Sequence, residues 1–343
     1  MPYAFRAQLR SPDEISDVSA GALVQGPGWR WVMFVNPIAC ALIVPAVLTV
    51  LPAGRPAATR IRFDLPGSGL VTGGMLLPVF ALVRAPIQGW GATATWLEFA
   101  GAAVLLAAFV ATERFVHDPI LPLSTFRIRG LAAANVTGLV GFAGMLTMFF
   151  FLTLYMQEVL HFSPIQAGAA YLPVTACLAI ASGVSSQLFS RIGTRPVIVG
   201  GALLSAGGIY YLSRVPLHGS YAPDLLPGLI IMSVGFGGMF VGVTTAANAG
   251  VPANRAGLAA GLLSTSQQLG MALGLAILSA IATSRTHHLL AAHAARPDAL
   301  TSGYQRALLV CSVFVLAAAV IASRIPNARA AAQPLVVPEA APV

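Results

Sequence analysis

Lysine is missing altogether from the 343 residues, so every Lys/Arg-type charge is carried by arginine. Charge of either sign is scarce: charged residues make up 9% of the chain, against about 25% in an ordinary soluble domain. Only three cysteines occur, Cys40, Cys177 and Cys311. Each lies in a different apolar run without CxxC or Cys/His spacing, which implies neither a disulfide framework nor a zinc site. There is no Walker loop, no GxGxxG after a strand, no HExxH and no GxSxG, so no cofactor is implied, and an enzyme would have no nucleophile or base pair to use. His287, His288 and His293 fall in a segment that reads as a loop, without helical metal spacing. The first residues, MPYAFRAQLRSPDEISDV, place Asp13, Glu14 and Asp17 where a signal peptide needs an apolar core.

The formal charge of +8 would suggest nucleic acid in a soluble protein. Here the arginines are strung singly between apolar runs and form no patch that tracks phosphates, so nucleic acid is excluded as a partner.

What is present is hydrophobicity, at 57% of residues and a mean hydropathy of +0.81. A bilayer core of about 30 Å takes roughly 20 apolar residues in a helix. Nine stretches qualify: 31–51, 65–83, 95–112, 131–156, 166–189, 196–212, 224–246, 257–283 and 304–322. The expected fold is all-α, a polytopic membrane protein whose first partner is the lipid bilayer. The intervening segments are too short for a soluble catalytic domain, so function resides in the membrane bundle.

Nine spans put the two ends on opposite sides. With a cytoplasmic C-terminus, the inner segments carry Arg55, Arg60, Arg62, Arg114, Arg127, Arg129, Arg191, Arg195, Arg255, Arg324 and Arg329. The outer ones carry the smaller set Arg30, Arg84, Arg214, Arg285, Arg296 and Arg306. The positive-inside rule favours that orientation, in the plasma membrane. All four tryptophans (Trp29, Trp31, Trp90, Trp96) then fall at the outer side, as do Tyr155, Tyr171, Tyr210, Tyr211, Tyr221 and Tyr304. The first span is the exception, because Arg6, Arg10 and Arg30 before it balance Arg55, Arg60 and Arg62 after it. Five further helices ahead of residue 20 would remove the difficulty, and the chain reads as the later part of a longer transporter.

Gly28-Trp29-Arg30-Trp31 followed by Phe34-Val35-Asn36-Pro37 resembles the GWRW entrance to the sixth helix of fourteen-helix drug:proton antiporters of the major facilitator superfamily, the QacA/EmrB type. Three further segments resemble that family in the same order. FVATERFVHDPILPLSTFR (109–127) matches a linker through Glu113, Pro119, Pro122, Phe126 and Arg127. YMQEVLHFSPIQAGAAYLP (155–173) matches a turn through Gln157, Ser163, Pro164, Ala167, Gly168 and Pro173. NRAGLAAGLLSTSQQLGMALG (254–274) matches a Gly-rich helix. The resemblance implies an incomplete bundle of about nine helices. Residues 1–30 would be a polar remnant, 31–51 the last helix of an N-terminal half, 65–112 an additional hairpin, 113–130 a cytoplasmic linker, 131–323 a C-terminal six-helix half and 324–343 a disordered cytoplasmic tail. It also implies efflux of drugs or small lipophilic compounds coupled to proton entry, by alternating access between two halves. A second chain supplying the missing half, or a membrane fragment that does not transport, is the alternative.

Gly257, Gly261, Gly270 and Gly274 recur at i, i+4, a spacing that lets another helix approach closely. Between them Ser264, Thr265, Ser266, Gln267 and Gln268 form a polar run that cannot all face lipid. Interhelical hydrogen bonding and a substrate-lining role both fit the run. By the resemblance this helix lies between the halves, which makes Ser264, Gln267 and Gln268 cavity candidates. Asn135, Met145 and Phe149 on the 131–156 stretch are candidates as well, since Met and Phe give an adaptable apolar lining. Gly183, Arg191, Gly193 and Arg195 resemble the superfamily's cytoplasmic loop, with Ser190 where an acid often stands, and the arginines fit ordinary positive-inside anchors equally well. Proton coupling needs an acid or His within the membrane. Glu98 is the one such acid inside a span, near its end, so the coupling residue is left unassigned.

Overall fold

The computed structural model describes residues 29–50, 65–115, 128, 130–249, 251–252 and 256–327, and among these every regular element is helical. The helices are α1 (Trp29–Val50), α2 (Leu65–Gln88), α3 (Thr93–Phe115), α4 (Leu131–Leu154), α5 (Pro164–Ala170), α6 (Leu172–Ile192), α7 (Thr194–Leu212), α8 (Leu226–Asn248), α9 (Ala256–Ala291) and α10 (Arg296–Ala322). A π-helical turn, Tyr155–Val159, prolongs α4, and a second, Tyr221–Leu225, leads into α8. The polar remnant before α1, the side chains of Trp29, Arg30 and Trp31, most of the linker and the tail after residue 327 lie outside the described residues.

Among the described residues, seven stretches are long and apolar enough to cross a membrane: Pro66–Ala85, Thr93–Phe115, Leu131–Val159, Pro164–Ile192, Tyr221–Asn248, Ala256–Ala291 and Arg296–Ala322. Nine were expected. The other two, 31–51 and 196–212, are helical as α1 and α7 but are not among the seven; α7 has 19 residues and opens on Thr194, Arg195 and Pro196.

Two expected boundaries change. The 166–189 stretch is a longer span interrupted at Tyr171, where α5 ends and Pro173, lacking an N–H, restarts the chain as α6. Ser163 and Gln166 begin α5 with a reciprocal capping box. The last helix-forming residue expected near 283 is also displaced. The 36-residue α9 carries Arg285, His287 and His288 on its final turns, so the loop reading of these two histidines is corrected. At about 1.5 Å per residue α9 is about 54 Å long and overshoots a bilayer core of about 30 Å. Its end stands in water, where polar residues do not break a helix.

Six spans from α4 to α10 form one bundle. The pairings α7 with α8 and α4 with α10 correspond, as do α6 with α8 and α4 with α9. Exchanging α4 with α8, α6 with α9 and α7 with α10 maps these contacts onto one another, the signature of two three-helix units packed as repeats. The core runs along α4, α7, α8 and α10 through Met148, Leu152, Tyr155, Ile209, Met232 and Met239, all essentially inaccessible. Lipid tails give no hydrophobic drive for helices to associate, so close van der Waals packing must hold them. Gly201 and Gly235 supply it at the α7–α8 crossing, where a Cβ on either would overlap the other's carbonyl oxygen. The α2–α3 hairpin packs on α9 through α2 and leaves Val83, Leu97 and Val104 exposed.

Tyr155 Oη donates to Pro216 O at 2.5 Å, which puts the end of α4 beside the α7–α8 connection and defines an Arg214 end of the bundle. The opposite, Gly193 end holds the α6–α7 turn and residues 323–327.

Candidate functional site

The polar run on α9 divides by position on the helix. Ser266 Oγ donates to Asn135 Oδ1 at 3.0 Å, and Asn135 Nδ2 donates to its own helix at Leu131 O at 2.8 Å. Asn135 is buried, so the pair is an interhelical bond between α4 and α9. Thr265 Oγ1 donates back to Gly261 O at 2.9 Å. Gln267 lies against α4, its Cγ 3.7 Å from where a Cβ on Gly138 would stand, and its buried Nε2 has no partner among the described residues. Ser264 and Gln268 are exposed. The run therefore divides, with Ser266 bonding between helices and Ser264 and Gln268 left exposed.

The glycines divide the same way. A Cβ at Gly270 would overlap Leu139 O and one at Gly274 would overlap Ala143 O, because α4 lies directly against α9 there. Beside Gly257 and Gly261 nothing lies within 4 Å, and the structure brings no helix to them.

Further along α9, Leu275 faces an apolar cleft of about 360 Å³ walled by Leu146, Phe149, Phe150 and Leu154 of α4. A neighbouring cleft of about 460 Å³ shares Phe150 and Leu275 and is closed by Val79 and Val83 of α2. Phe149 is tied to the bundle from behind: its ring meets Tyr171 edge-on with centroids 5.3 Å apart, and Tyr171 Oη donates to Phe149 O at 3.2 Å. Met145, 3% exposed, lies in the core and lines neither cleft. The reason is helical phase, since Met145 and Phe149 are one turn apart but only Phe149 is rotated past the α9 contact. Phe150 and Leu275, absent from the sequence candidates, are the residues common to both clefts. Gln268 and Ser264 line neither cleft but stand seven and eleven residues before Leu275, on the same side of α9. An apolar wall with polar groups along the same helix face suits an amphipathic small molecule.

At the Gly193 end Arg191 and Arg195 are exposed, and Ser190 Oγ donates to Gln187 O within its own helix at 2.7 Å. Gly193 has φ +88°. Its turn is bound by Asn327, a residue no sequence motif flagged. Gly183 has open space beside it.

Glu98 is not a free helix-end acid. Its Oε1 accepts from Arg84 Nη1 at 3.2 Å across the α2–α3 hairpin, and Arg84 also lies over the Phe80 ring, 4.9 Å from its centroid. No carboxylate lines either apolar cleft.

A family model described as Major Facilitator Superfamily matches residues 18–275. Puromycin resistance protein pur8 of Streptomyces alboniger is 34% identical over 305 residues, which are 87% of this chain and 60% of that protein. Cephamycin export protein CmcT of Amycolatopsis lactamdurans is 33% identical over 310 residues, 89% of this chain and 62% of its own. A multidrug resistance protein B homolog of Mycobacterium tuberculosis is 31% identical over 289 residues, 83% and 53% of the two chains. The chain thus spans between 53% and 62% of the length of these relatives. Nothing in the comparisons supports a second chain as a partner.

Proposed function

The chain belongs to the Major Facilitator Superfamily, and from that premise we propose that it forms part of a transporter that exports small lipophilic compounds in exchange for protons. The observation that carries the reading is the paired apolar cleft around Phe149, Phe150 and Leu275, with the exposed Ser264 and Gln268 on the same side of α9 as Leu275. Relatives named for puromycin resistance and cephamycin export support the substrate class. In this reading α1 corresponds to the sixth helix of the fourteen-helix drug:proton antiporters, α2 and α3 to the additional hairpin, and α4 to α10 to the C-terminal half. The repeat-like packing of those six spans supports the last correspondence. The other wall of the path would come from helices that precede α1 in the family's order. The C-terminus lies in the cytoplasm, which makes the Gly193 end cytoplasmic and the Arg214 end external. The protein is a carrier rather than an enzyme, working by alternating access.

The test is efflux of a lipophilic cationic dye from energised cells that express the gene holding this sequence. Export abolished by a protonophore supports the reading. Dye retention equal to that of empty-vector cells, with the protein present in the membrane, overturns it in favour of a membrane fragment that does not transport.

A further inference from the structure

A further cleft among the described residues is lined by charge rather than by apolar side chains alone. It lies at the Arg214 end, holds about 780 Å³, and is bounded by Trp90 of the α2–α3 turn and by the ends of α7, α9 and α10. Arg214, Arg285 and Arg306 line it, and no carboxylate does. These are three arginines from the turn after α7, from α9 and from α10, 71 and 21 residues apart in sequence by their numbers, converging on one space.

Their partners are neutral. Arg214 lies over the Tyr210 ring, 4.8 Å from its centroid, and bonds to the Tyr210 hydroxyl. Arg285 Nε donates to Ser302 Oγ at 3.1 Å. Arg306 is exposed and has no bond to a described residue. Glu158 accepts from Tyr304 at 2.7 Å, Asp224 from Ser220 N at 2.7 Å and Glu98 holds Arg84. Asp298 stands on α10 one turn before Ser302, and among the described residues it forms no ion pair with the three arginines. Like charges gathered without a counter-ion repel, and the arrangement costs least when an anion sits among them. Guanidinium groups match phosphate oxygens with paired donors. The rest of the lining is mixed: Ser213, Ser284, Ser302 and Gln305 add neutral hydrogen-bonding groups, and Ala280, Ile281 and Leu309 form an apolar strip. Trp90 and Tyr210 complete it, aromatic side chains of the kind found at the level of lipid headgroups.

We propose that this cleft is a phosphate-oxyanion site, held by Arg214, Arg285 and Arg306, with its apolar strip taking the first part of an acyl chain. The site meets the second apolar cleft at Ala280, but its arginines line neither apolar cleft and the proposal does not depend on the transport reading.

Native mass spectrometry of the purified full chain tests it, with added dioctanoyl phosphatidylglycerol, dioctanoylglycerol and inorganic phosphate as probes. Phosphatidylglycerol is expected to stay bound where dioctanoylglycerol does not, and Arg306→Gln to weaken that binding about tenfold, the factor set by one lost charged contact. Arg306 is exposed and bonds to no described residue, so its replacement is expected to leave the fold intact, and the mono-disperse elution of the variant checks this. Retention of inorganic phosphate with equal sensitivity to Arg306→Gln makes the ligand a free anion; retention of the phospholipid alone makes it a headgroup. Equal retention of dioctanoylglycerol, or no effect of Arg306→Gln, overturns the proposal. If the variant fails to elute as a folded protein, the phosphatidylglycerol against dioctanoylglycerol comparison on the unaltered chain decides.

Discussion

Asn327 closes over Gly193 from the segment that follows α10: its Oδ1 accepts from Arg195 N and its Nδ2 donates to Ile192 O, both at 3.3 Å. One amide thereby satisfies a donor and an acceptor that the α6–α7 turn leaves without helical partners. Ser190 offers no charge at this turn, and a neutral side chain from beyond α10 ties it instead. Gly193 is needed on two counts, its φ of +88° and the absence of room for a Cβ beneath Asn327.

Gly193→Ala should therefore lower stability by about 1–3 kcal/mol, the range for a left-handed non-glycine residue with steric conflict. Asn327→Ala should cost less, about 0.5–1.5 kcal/mol, because the lost bonds are at an exposed turn. Thermal unfolding of the purified protein in detergent reads both. Equal Tm for Gly193→Ala and the unaltered chain would show that the turn is free to rearrange.

The four glycines of α9 should respond in opposite ways although they share one sequence spacing. Gly274→Ala places a methyl into Ala143 O and should destabilise by about 1–3 kcal/mol, as overpacking does. Gly261→Ala meets nothing within 4 Å and should be neutral or stabilising by up to about 1 kcal/mol through helix propensity. Unfolding midpoints of the two variants, compared side by side, check the difference.

That contrast shows how far the sequence could be read. Hydropathy located the spans, since about 20 apolar residues in a row have few alternatives in lipid. The order of motifs from Gly28 to Gly274 pointed to the family. Within α9, the spacing of Gly257, Gly261, Gly270 and Gly274 was visible, but which pair meets α4 depends on where the two helices cross. Met145 and Phe149 were likewise indistinguishable by type, and their rotation about α4 separates core from cleft. The histidines at 287 and 288 misled because polarity ends a membrane span without ending a helix. Asn327 and the arginine cleft had no local pattern at all, because their partners come from segments distant in sequence.

Asn135 and Ser266 should be coupled. A double-mutant cycle of Asn135→Ala and Ser266→Ala, followed by unfolding in detergent, is expected to return an interaction of about 0.6 kcal/mol and at most about 1.7, as found for hydrogen bonds between membrane helices. A value indistinguishable from zero would mean that Asn135 holds only its own helix, through Leu131 O.

Arg84 and Glu98 should behave as a tie within the α2–α3 hairpin. The side chains are 41% and 15% exposed, so solvent screens the pair and its coupling should be below about 1 kcal/mol. Glu98→Gln is expected to leave protonophore-sensitive efflux in place with at most a small loss of Tm. Efflux that becomes insensitive to the protonophore in Glu98→Gln alone would instead make this acid the proton site.

Phe149 and Phe150 separate recognition from packing. The Phe150 ring is 43% exposed and common to both apolar clefts, whereas Phe149 also packs on Tyr171. Phe150→Ala should therefore leave Tm nearly unchanged while raising the KM for a lipophilic dye several-fold, since removal of an aromatic wall weakens apolar binding by about 1–2 kcal/mol. Phe149→Ala should raise KM and also lower Tm, with a stability loss of about 2–4 kcal/mol from the emptied contact. Dye efflux at graded concentrations, paired with thermal unfolding of the same variants, distinguishes the two. A KM unchanged by both substitutions in a protein that still exports dye would move the substrate path away from this cleft, because two neighbouring aromatic walls cannot both be lost from a binding surface without effect.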